Sequence, residues 1–353
     1  MKTIAVIGCG RISNHAHFPA LAEMEDVRIK YACDIIKEKA EAAKAKWPKI
    51  EEVITDYHIA LADDEVEAVW VLTPNYLHYT VTMDALRAGK HVLCEKPITV
   101  NYALSREMAE EAEKQGKLLH IGVCSRYDLT VNTVRDMIAA GRLGKIYHVY
   151  CSFRAHRNIP GLGGAFTTKA ISGGGVLIDW GIHFFDLILY TLGHPTLYTA
   201  SCNAYCEMAK DMTAYRYKTM WAEDTSDKEN GTNDVDDFIT GFVRTSAASI
   251  TFNGAWAQNI GGIEQYVDFL GDKGGIRFDY SKKTFTFFDG ETLEADAPEC
   301  PKSNAFFAED RAFLDAIDSG VRERNHIENV LNSAKLLDGL YASADAGKEI
   351  IFE

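Results

Sequence analysis

Short apolar runs alternate with longer amphipathic stretches along the first 123 residues of the chain. The apolar runs are rich in β-branched residues, as buried strands are, and the stretches between them show helical periodicity. Strands separated by helices indicate a parallel sheet with crossover helices. We predict strands over 3–7, 27–33, 68–72, 91–94 and 118–123, and helices over 36–46, 76–88 and 103–114.

The pattern changes after residue 123, where we place a domain boundary. A helix predicted around 130–140 precedes runs in which apolar and polar residues alternate, which is typical of an antiparallel sheet with one covered face. Helical periodicity returns near the end of the chain, and the polar segment 212–233 is predicted to be a long loop without an assigned role. The alternating runs are 147–153, 237–243, 248–252, 266–270 and 284–288, and the late helices are 308–317 and 327–346.

Composition narrows the class of protein. The 353 residues are 47% hydrophobic and 25% charged, so the chain can bury a full core. The formal charge of −14 argues against a nucleic-acid partner, because such proteins carry basic surfaces. No apolar stretch of about 18 residues and no signal peptide is expected, so we predict no membrane partner. The eight cysteines form no CxxC pair, and we expect them to be reduced in the cytoplasm.

A glycine-rich turn, Gly8-Cys9-Gly10-Arg11-Ile12-Ser13, directly follows the first predicted strand. Gly8 suits a tight turn, and Gly10 leaves no side chain between the backbone and a pyrophosphate at the helix N-terminus. Ser13 replaces a third glycine and is still small enough for close helix packing. Asp34, at the end of the second strand, is placed to bind both ribose hydroxyls and repel a 2′-phosphate, which favours NAD over NADP. The alternative is an ordinary strand-to-helix turn with a solvated aspartate.

Two further segments follow strands at the same edge of the sheet, where ligands of open α/β folds bind. They are Thr73-Pro74-Asn75-Tyr76-Leu77-His78 and Cys94-Glu95-Lys96-Pro97. Asn75 fits a helix cap as well as a cofactor contact. In isolation Glu-Lys-Pro would be a surface turn, but its position would let Lys96 exchange a proton with a substrate hydroxyl.

The densest group of candidate catalytic residues lies in 173–186, where three glycines lead into a helical pattern. Asp179 and His183 are four residues apart and therefore share one helix face. Imidazole is a natural general base at neutral pH, and a neighbouring carboxylate could orient it. The pair also fits a buried structural histidine with an aspartate at the helix N-cap. No metal site is expected, because HExxH is absent and no third ligand is evident.

Taken together, these motifs resemble the glucose-fructose oxidoreductase and inositol dehydrogenase family, abbreviated Gfo/Idh/MocA. The resemblance covers essentially the whole chain and implies an α/β protein: a Rossmann domain with a doubly wound parallel sheet over 1–123, then an α/β domain with a large, mostly antiparallel open sheet over 124–353. That open sheet often forms the dimer interface, so a homodimer or homotetramer is expected. The resemblance rests on 8–13, Asp34, 73–78, 95–97 and 173–183.

The family also implies roles for individual residues. Lys96, Asp179 and His183 would form the catalytic set, with His183 as the general base. The implied cofactor contacts are Gly8, Gly10, Arg11, Ile12, Asp34, Thr73, Pro74, Asn75, His78, Glu95 and Lys96. The resemblance also supports Arg126 and Tyr127 as substrate-pocket residues. Further candidates for the pocket walls in the second domain are Arg154, His156, Arg157 and Trp180, each of which also fits a plain surface or packing position.

The expected reaction is reversible oxidation of a secondary hydroxyl of a sugar, glycoside or cyclic polyol, with hydride passing to NAD. His183 would accept the hydroxyl proton, Asp179 would orient it, and Lys96 would polarise the oxygen. Two alternatives keep the fold: a glycosidase-type enzyme that uses tightly held NAD for transient oxidation and elimination, and a nucleotide-sensing regulator without catalysis. Retention of all three residues argues against the regulator.

Overall fold

The computed structural model describes residues 1–222 and 225–352. The chain divides into two compact units. The first contains Met1–Tyr127 and Asn304–Leu331, and the second contains Asp128–Ser303 and Asn332–Glu353. The predicted boundary at residue 123 placed 304–331 in the second domain, whereas this segment groups with the first unit.

The first unit contains a six-stranded parallel sheet in the order β3-β2-β1-β4-β5-β6. The direction of strand order reverses between β1 and β4, and ligand crevices of such sheets lie at the carboxyl ends of the strands beside this reversal. The strands are β1 Lys2–Ile7, β2 Val27–Cys33, β3 Ile50–Ile54, β4 Ala68–Val71, β5 His91–Glu95 and β6 Leu119–Gly122. The predicted parallel sheet is confirmed. The prediction omitted β3, an edge strand whose two glutamates, Glu51 and Glu52, interrupt the apolar pattern.

Three of the helices that connect the strands of the first unit lie close to their predicted positions, and the helix Tyr57–Leu61 was not predicted. One connecting helix, α5, shows how the sequence sets its ends: the Asn101 side chain accepts the Leu104 N–H at 3.0 Å, and Gly116 ends the helix with φ 62°. The helices are α1 Phe18–Glu23, α2 Lys37–Lys46, α3 Tyr57–Leu61, α4 Asn75–Arg87, α5 Tyr102–Gln115 and the returning α9 Ala305–Ser319.

The returning helix α9 completes the core of the first unit. Phe313 and Leu314 are fully buried there, and the Phe313 ring packs edge-on against Trp70 at 5.2 Å between centroids. Burial of these two apolar side chains stabilises the unit, and it requires α9 to pack back onto the first sheet. The periodicity of this segment predicts a helix but not the sheet on which it packs.

The second unit contains a nine-stranded sheet among the described residues, in the order β14-β13-β12-β11-β7-β10-β9-β8-β15. Only the β7–β10 pair is parallel, so the predicted mostly antiparallel sheet is confirmed. The strands are β7 Ile146–Ala155, β8 Leu197–Tyr205, β9 Phe238–Thr245, β10 Ser249–Ala255, β11 Ile263–Gly271, β12 Gly274–Asp279, β13 Thr284–Asp289, β14 Ala295–Asp296 and β15 Ile350–Ile351.

The second unit contains the helices α6 Leu129–Ala139, α7 Lys169–Ser172 and α8 Ile182–Thr191. Helix α10, Ile327–Ala346, begins in the first unit and ends in the second. The core side of the sheet contributes buried residues such as Phe153 and Phe252. By length and composition, Lys169–Thr191 could cross a membrane, but 78% of its most apolar window is buried within the protein, as in a core helix.

Candidate active site

The turn after β1 is shaped by two glycines with different tasks. Gly8 has φ 102°, and a Cβ there would lie 2.4 Å from the carbonyl oxygen of Leu72, so no other residue fits without a shift of backbone. A Cβ on Gly10 would meet no atom within 4 Å. Gly8 is therefore required by the close approach of the chain after β4, whereas Gly10 keeps open the space in front of the helix, where a pyrophosphate fits.

Ser13 stabilises this turn through its buried side chain. Its side chain is buried, and Oγ donates a hydrogen bond to the Gly8 carbonyl at 2.6 Å. The helix here contains a π-helical turn, Ser13–His17, and the Asn14 amide donates to the carbonyls of Cys9 and Gly10, both at 3.0 Å. A small residue at the third-glycine position therefore serves the packing, as predicted, and adds a hydrogen bond that glycine could not make.

Asp34 lies at the carboxyl end of β2, as expected. Its carboxylate accepts the backbone N–H of Cys9 at 3.0 Å and of Ile36 at 2.9 Å, which orients it toward the glycine turn. Ile35 is 83% exposed beside it and offers an apolar surface of the kind that a base can cover. Open space before a helix, an oriented carboxylate and an exposed apolar side chain together fit the binding of a dinucleotide.

His78 has a role that the sequence did not predict. It is buried on α4, with Nδ1 2.7 Å from the Pro97 carbonyl and Nε2 2.9 Å from the Thr73 carbonyl. Burial lowers the pKa of this histidine. Each ring nitrogen lies within hydrogen-bond distance of a backbone carbonyl, so His78 packs between the two loops that follow β4 and β5. Asn75 begins α4, and Thr73 and Asn75 are partly exposed.

Glu95, another expected cofactor contact, also has partners within the protein. It is buried, with Oε1 3.2 Å from His17 Nε2 and Oε2 accepting the Lys96 N–H at 3.0 Å. A Cβ on Gly122 would lie 2.7 Å from Oε1, so the carboxylate is packed tightly against β6. Lys96 is the partly exposed residue between buried Glu95 and buried Pro97. The strand end therefore directs the lysine, and not the glutamate, toward the ligand edge of the sheet.

In the second unit, the three glycines before the Asp179–His183 helix allow another segment to approach. A Cβ on Gly175 would lie 1.9 Å from the Asp236 carbonyl oxygen. The Asp236 carboxylate accepts the N–H of Gly175 at 2.9 Å and of Leu177 at 2.8 Å, and it also accepts the Tyr341 hydroxyl at 2.9 Å. Asp236 therefore fixes the start of this helix, although it lies far along the chain and carries no sequence motif that could have revealed it.

Asp179 and His183 are partly exposed on a helix whose neighbouring residues are mostly buried. Asp179 lies in a π-helical turn, Leu177–Gly181, and His183 lies in the first turn of α8. Short π-helical turns occur frequently at functional sites. The His183 ring lies 6.4 Å from that of Tyr280, and Lys283 Nζ lies 3.5 Å above the same tyrosine. The exposure of the pair fits acid–base chemistry better than a fully buried structural histidine.

Arg126 and Tyr127, which were expected to be substrate-pocket residues, contact residues 324–329 of the same unit. Arg126 is fully buried, and its guanidinium donates to the backbone carbonyls of Arg324 at 2.6 Å and Asn329 at 2.9 Å. The Tyr127 hydroxyl donates to the Asn325 side chain at 2.8 Å. Both side chains hold the returning segment 304–331 against the rest of the first unit, a role that only the tertiary structure reveals.

The other pocket candidates lie in the second unit and have partners there. Arg154 pairs with Glu264, and Arg157 Nη2 donates to Asn259 at 2.6 Å. His156 is partly exposed. These residues remain candidates for substrate contact.

Trp180 belongs to an aromatic group that includes part of the segment 212–233. Its ring lies 6.5 Å from that of Trp221, which packs edge-on against Phe166 at 5.4 Å. All three side chains are partly exposed. The long polar segment therefore brings an aromatic side chain to the residue that follows Asp179. Among the described residues, no group of three or more His, Cys, Asp or Glu side chains could hold a metal ion.

Comparison with known proteins identifies the family. Residues 2–123 match the model of the GFO_IDH_MocA oxidoreductase family with an NAD-binding Rossmann fold, and residues 131–277 match the GFO/IDH/MocA C-terminal domain. The chain belongs to the Gfo/Idh/MocA oxidoreductase family. The resemblance predicted from the motifs is thereby confirmed, as is the fold class.

Relatives within the Gfo/Idh/MocA family include D-glucoside 3-dehydrogenase of Escherichia coli K12, which is 28% identical over 98% of this chain and 96% of that protein. A putative UDP-kanosamine synthase oxidoreductase subunit of Amycolatopsis mediterranei is 30% identical over 72% of this chain and 68% of that protein. Levoglucosan dehydrogenase, in complex with NADH and levoglucosan, has a TM-score of 0.86 at 18% identity, covering 100% of this chain and 99% of that one. At that identity the structural likeness supports the fold alone.

Proposed function

We propose that this Gfo/Idh/MocA protein is an NAD-dependent dehydrogenase that reversibly oxidises a secondary hydroxyl of a sugar, glycoside or cyclic polyol. The observation that carries the proposal is the selective exposure of three residues. Lys96 is partly exposed between two buried neighbours, and Asp179 and His183 are partly exposed on a largely buried helix. The names of relatives, among them D-glucoside 3-dehydrogenase and a myo-inositol 2-dehydrogenase of Thermotoga maritima, support the substrate class.

Each of the three residues has a distinct task in the proposed reaction. His183 accepts the proton of the substrate hydroxyl, because a neutral imidazole can take up a proton near neutral pH. Asp179 orients His183 and stabilises the imidazolium that forms. Lys96 donates a hydrogen bond to the substrate oxygen and stabilises the charge that develops on it. Bound NAD supplies the hydride acceptor, and the residues of the chain supply the proton chemistry.

The first unit supports NAD in preference to NADP. The Asp34 carboxylate is held by two backbone N–H groups at 3.0 and 2.9 Å, so it cannot easily turn away from a 2′-phosphate at the ribose. A ribose with two free hydroxyls would instead donate hydrogen bonds to the carboxylate. Gly10 leaves room for the pyrophosphate. We place the enzyme in the cytoplasm, where its eight cysteines would stay reduced.

We further propose a homodimer that forms through the outer face of the sheet in the second unit. Tyr150, at the centre of that face on β7, is 48% exposed, and its cross-strand neighbours are Thr251 and Asp268. Phe242 lies opposite Thr251 on the next strand. A broad open sheet that exposes aromatic residues is typical of a protein interface. Light scattering of the purified protein would give the mass of two chains, and Tyr150→Glu would reduce it to one.

The test of the function uses purified protein, NAD and a panel of neutral sugars, glycosides and inositols, with reduced nicotinamide followed by its absorbance. We expect reduction with at least one member of the panel and a loss of at least about a hundredfold in kcat for Lys96→Ala and for His183→Ala. His194→Asn is the control in the second unit, because His194 is an exposed histidine outside the candidate site and asparagine tolerates its positive φ of 58°. Wild-type rates in the Lys96 or His183 variant would contradict the assigned roles. Glycoside cleavage without net reduction of NAD would favour the glycosidase-type enzyme.

A further inference from the structure

A line of buried ionisable side chains in the first unit ends at Lys96, and the proposed reaction does not use it directly. His17 is fully buried, with Nδ1 2.9 Å from Asp310 Oδ1 and Nε2 3.2 Å from Glu95 Oε1. The other oxygen of Glu95 accepts the backbone N–H of Lys96 at 3.0 Å. At the far end, Trp70 Nε1 donates to Asp310 at 2.8 Å. Hydrogen bonds therefore run without a break from α9 to the lysine.

The charges along this line alternate. Because both ring nitrogens of His17 face carboxylates, only the imidazolium form donates to both. Burial by itself would lower the pKa of His17, but the carboxylates of Asp310 and Glu95 raise it well above its ordinary value. Glu309 is a further acidic group near this line, and burial raises its pKa well above the usual range. The Phe306 ring contributes an edge contact with His17 at 5.6 Å.

We propose that Asp310 and His17 are positioning residues that act on Lys96 through Glu95. A buried carboxylate is costly without a counter-charge, so the His17 imidazolium stabilises Glu95 in the contact that holds the Lys96 backbone. Asp310 keeps His17 protonated, and α9 brings Asp310 into place. The inference rests on the proposed role of Lys96 and adds a function for the returning segment of the chain.

The variant Asp310→Asn separates positioning from simple stability. The asparagine oxygen can still accept from Nδ1, but the negative charge is gone, so the pKa of His17 falls toward neutrality. We expect kcat near the wild-type value at pH 6 and a fall of about tenfold by pH 8.5 as His17 loses its proton. His17→Gln, which cannot carry the charge, should have the low kcat at every pH. Wild-type enzyme should show no such ionisation, and KM for NAD should change less than about twofold.

The control is Asp315→Asn on the same helix, where the carboxylate is 63% exposed and pairs with Arg311. It should keep the wild-type pH profile. A second readout needs no turnover: acetylation of Lys96, measured by mass spectrometry against the exposed Lys37. In Asp310→Asn the ratio should change at least twofold between pH 6 and 8.5, beyond any change in wild type and in Asp315→Asn.

The outcomes separate the two proposals. A pH-dependent change in both kcat and Lys96 labelling in Asp310→Asn supports the positioning role. A wild-type kcat profile and wild-type labelling in folded Asp310→Asn and His17→Gln overturn it. If the wild-type enzyme reduces no NAD with any substrate in the panel, the proposed function fails, while a pH-dependent labelling ratio still supports the control of Lys96 by Asp310. If Asp310→Asn does not fold, the kcat and labelling of His17→Gln decide.

Discussion

Asp236 connects the stability of the second unit to the geometry of its candidate catalytic helix. Its carboxylate accepts three hydrogen bonds, from the N–H groups of Gly175 and Leu177 and from the Tyr341 hydroxyl. In Asp236→Asn only one oxygen remains, and an amide NH₂ faces at least one of these donors. One lost hydrogen bond with a buried donor left unsatisfied costs about 1–3 kcal/mol.

We therefore expect the free energy of unfolding to fall by about 2 kcal/mol in Asp236→Asn, which corresponds to a decrease in Tm of roughly 4–8 °C for a unit of this size. The start of the Asp179–His183 helix loosens in the same variant. A displacement of catalytic groups by about 1 Å can cost a hundredfold in rate, so kcat should fall by about ten- to a hundredfold. KM for NAD should stay within about twofold, because the glycine turn lies in the first unit.

The assay combines urea unfolding with steady-state kinetics. Asp234→Asn is the control: Asp234 is exposed in the same segment and accepts the Lys169 N–H at 2.7 Å, so its loss should cost less than about 1 kcal/mol and leave kcat unchanged. The reasoning is refuted if Asp236→Asn unfolds like the wild type, or if it is destabilised as expected but keeps the wild-type kcat.

Three further predictions concern the first unit. Gly10→Ala should keep the wild-type Tm, because its Cβ meets no protein atom, but weaken NAD binding about tenfold, because the Cβ enters the space left for the pyrophosphate. Gly8→Ala should lower the free energy of unfolding by more than about 2 kcal/mol, because φ is 102° and the Cβ would clash with backbone. Calorimetry of each variant, with a titration of NAD, distinguishes the loss of stability from the loss of binding. Asp34→Asn should reduce the preference for NAD over NADP about tenfold in kcat/KM, and an unchanged ratio would refute the ribose assignment. Burial lowers the pKa of His120 to about 3, so His120 stays neutral in the folded state, while the unfolded state gains a proton below about pH 6.5. This group alone should lower the free energy of unfolding by about 2 kcal/mol between pH 7 and pH 5. In urea unfolding at these two pH values, His120→Phe should lose less stability than the wild type.

The positions of the predicted strands and helices could be read from the sequence because apolar periodicity is local. The sequence also predicts that Asp34 and Lys96 lie at the same edge of the sheet, because each directly follows a strand of a parallel sheet. The direction of a side chain at that edge depends on its neighbours in space. His78 and Glu95 fit the expected motif, yet both face inward, because carbonyls and the His17 ring lie there.

Long-range partners could not be predicted for a related reason. Asp236 lies more than fifty residues after Gly175, and the two meet only through the packing of the second unit. The helix at 305–319 could be predicted from its periodicity, but its place on the first unit depends on contacts such as that between Phe313 and Trp70. Arg126 and Tyr127 were expected in a pocket from the family resemblance, and their contacts with Arg324 and Asn325 appear only in the tertiary structure.

The central claim is that hydride passes from a carbon of a neutral carbohydrate to NAD. The most direct measurement uses a methyl glucoside that carries deuterium on every ring carbon, with mass spectrometry of the nicotinamide product. We expect the wild-type enzyme to transfer one deuterium to each reduced nicotinamide. The single variants Lys96→Ala and His183→Ala should each slow this transfer. Reduced nicotinamide without deuterium, or no labelled nicotinamide while the glucoside is cleaved, would contradict it.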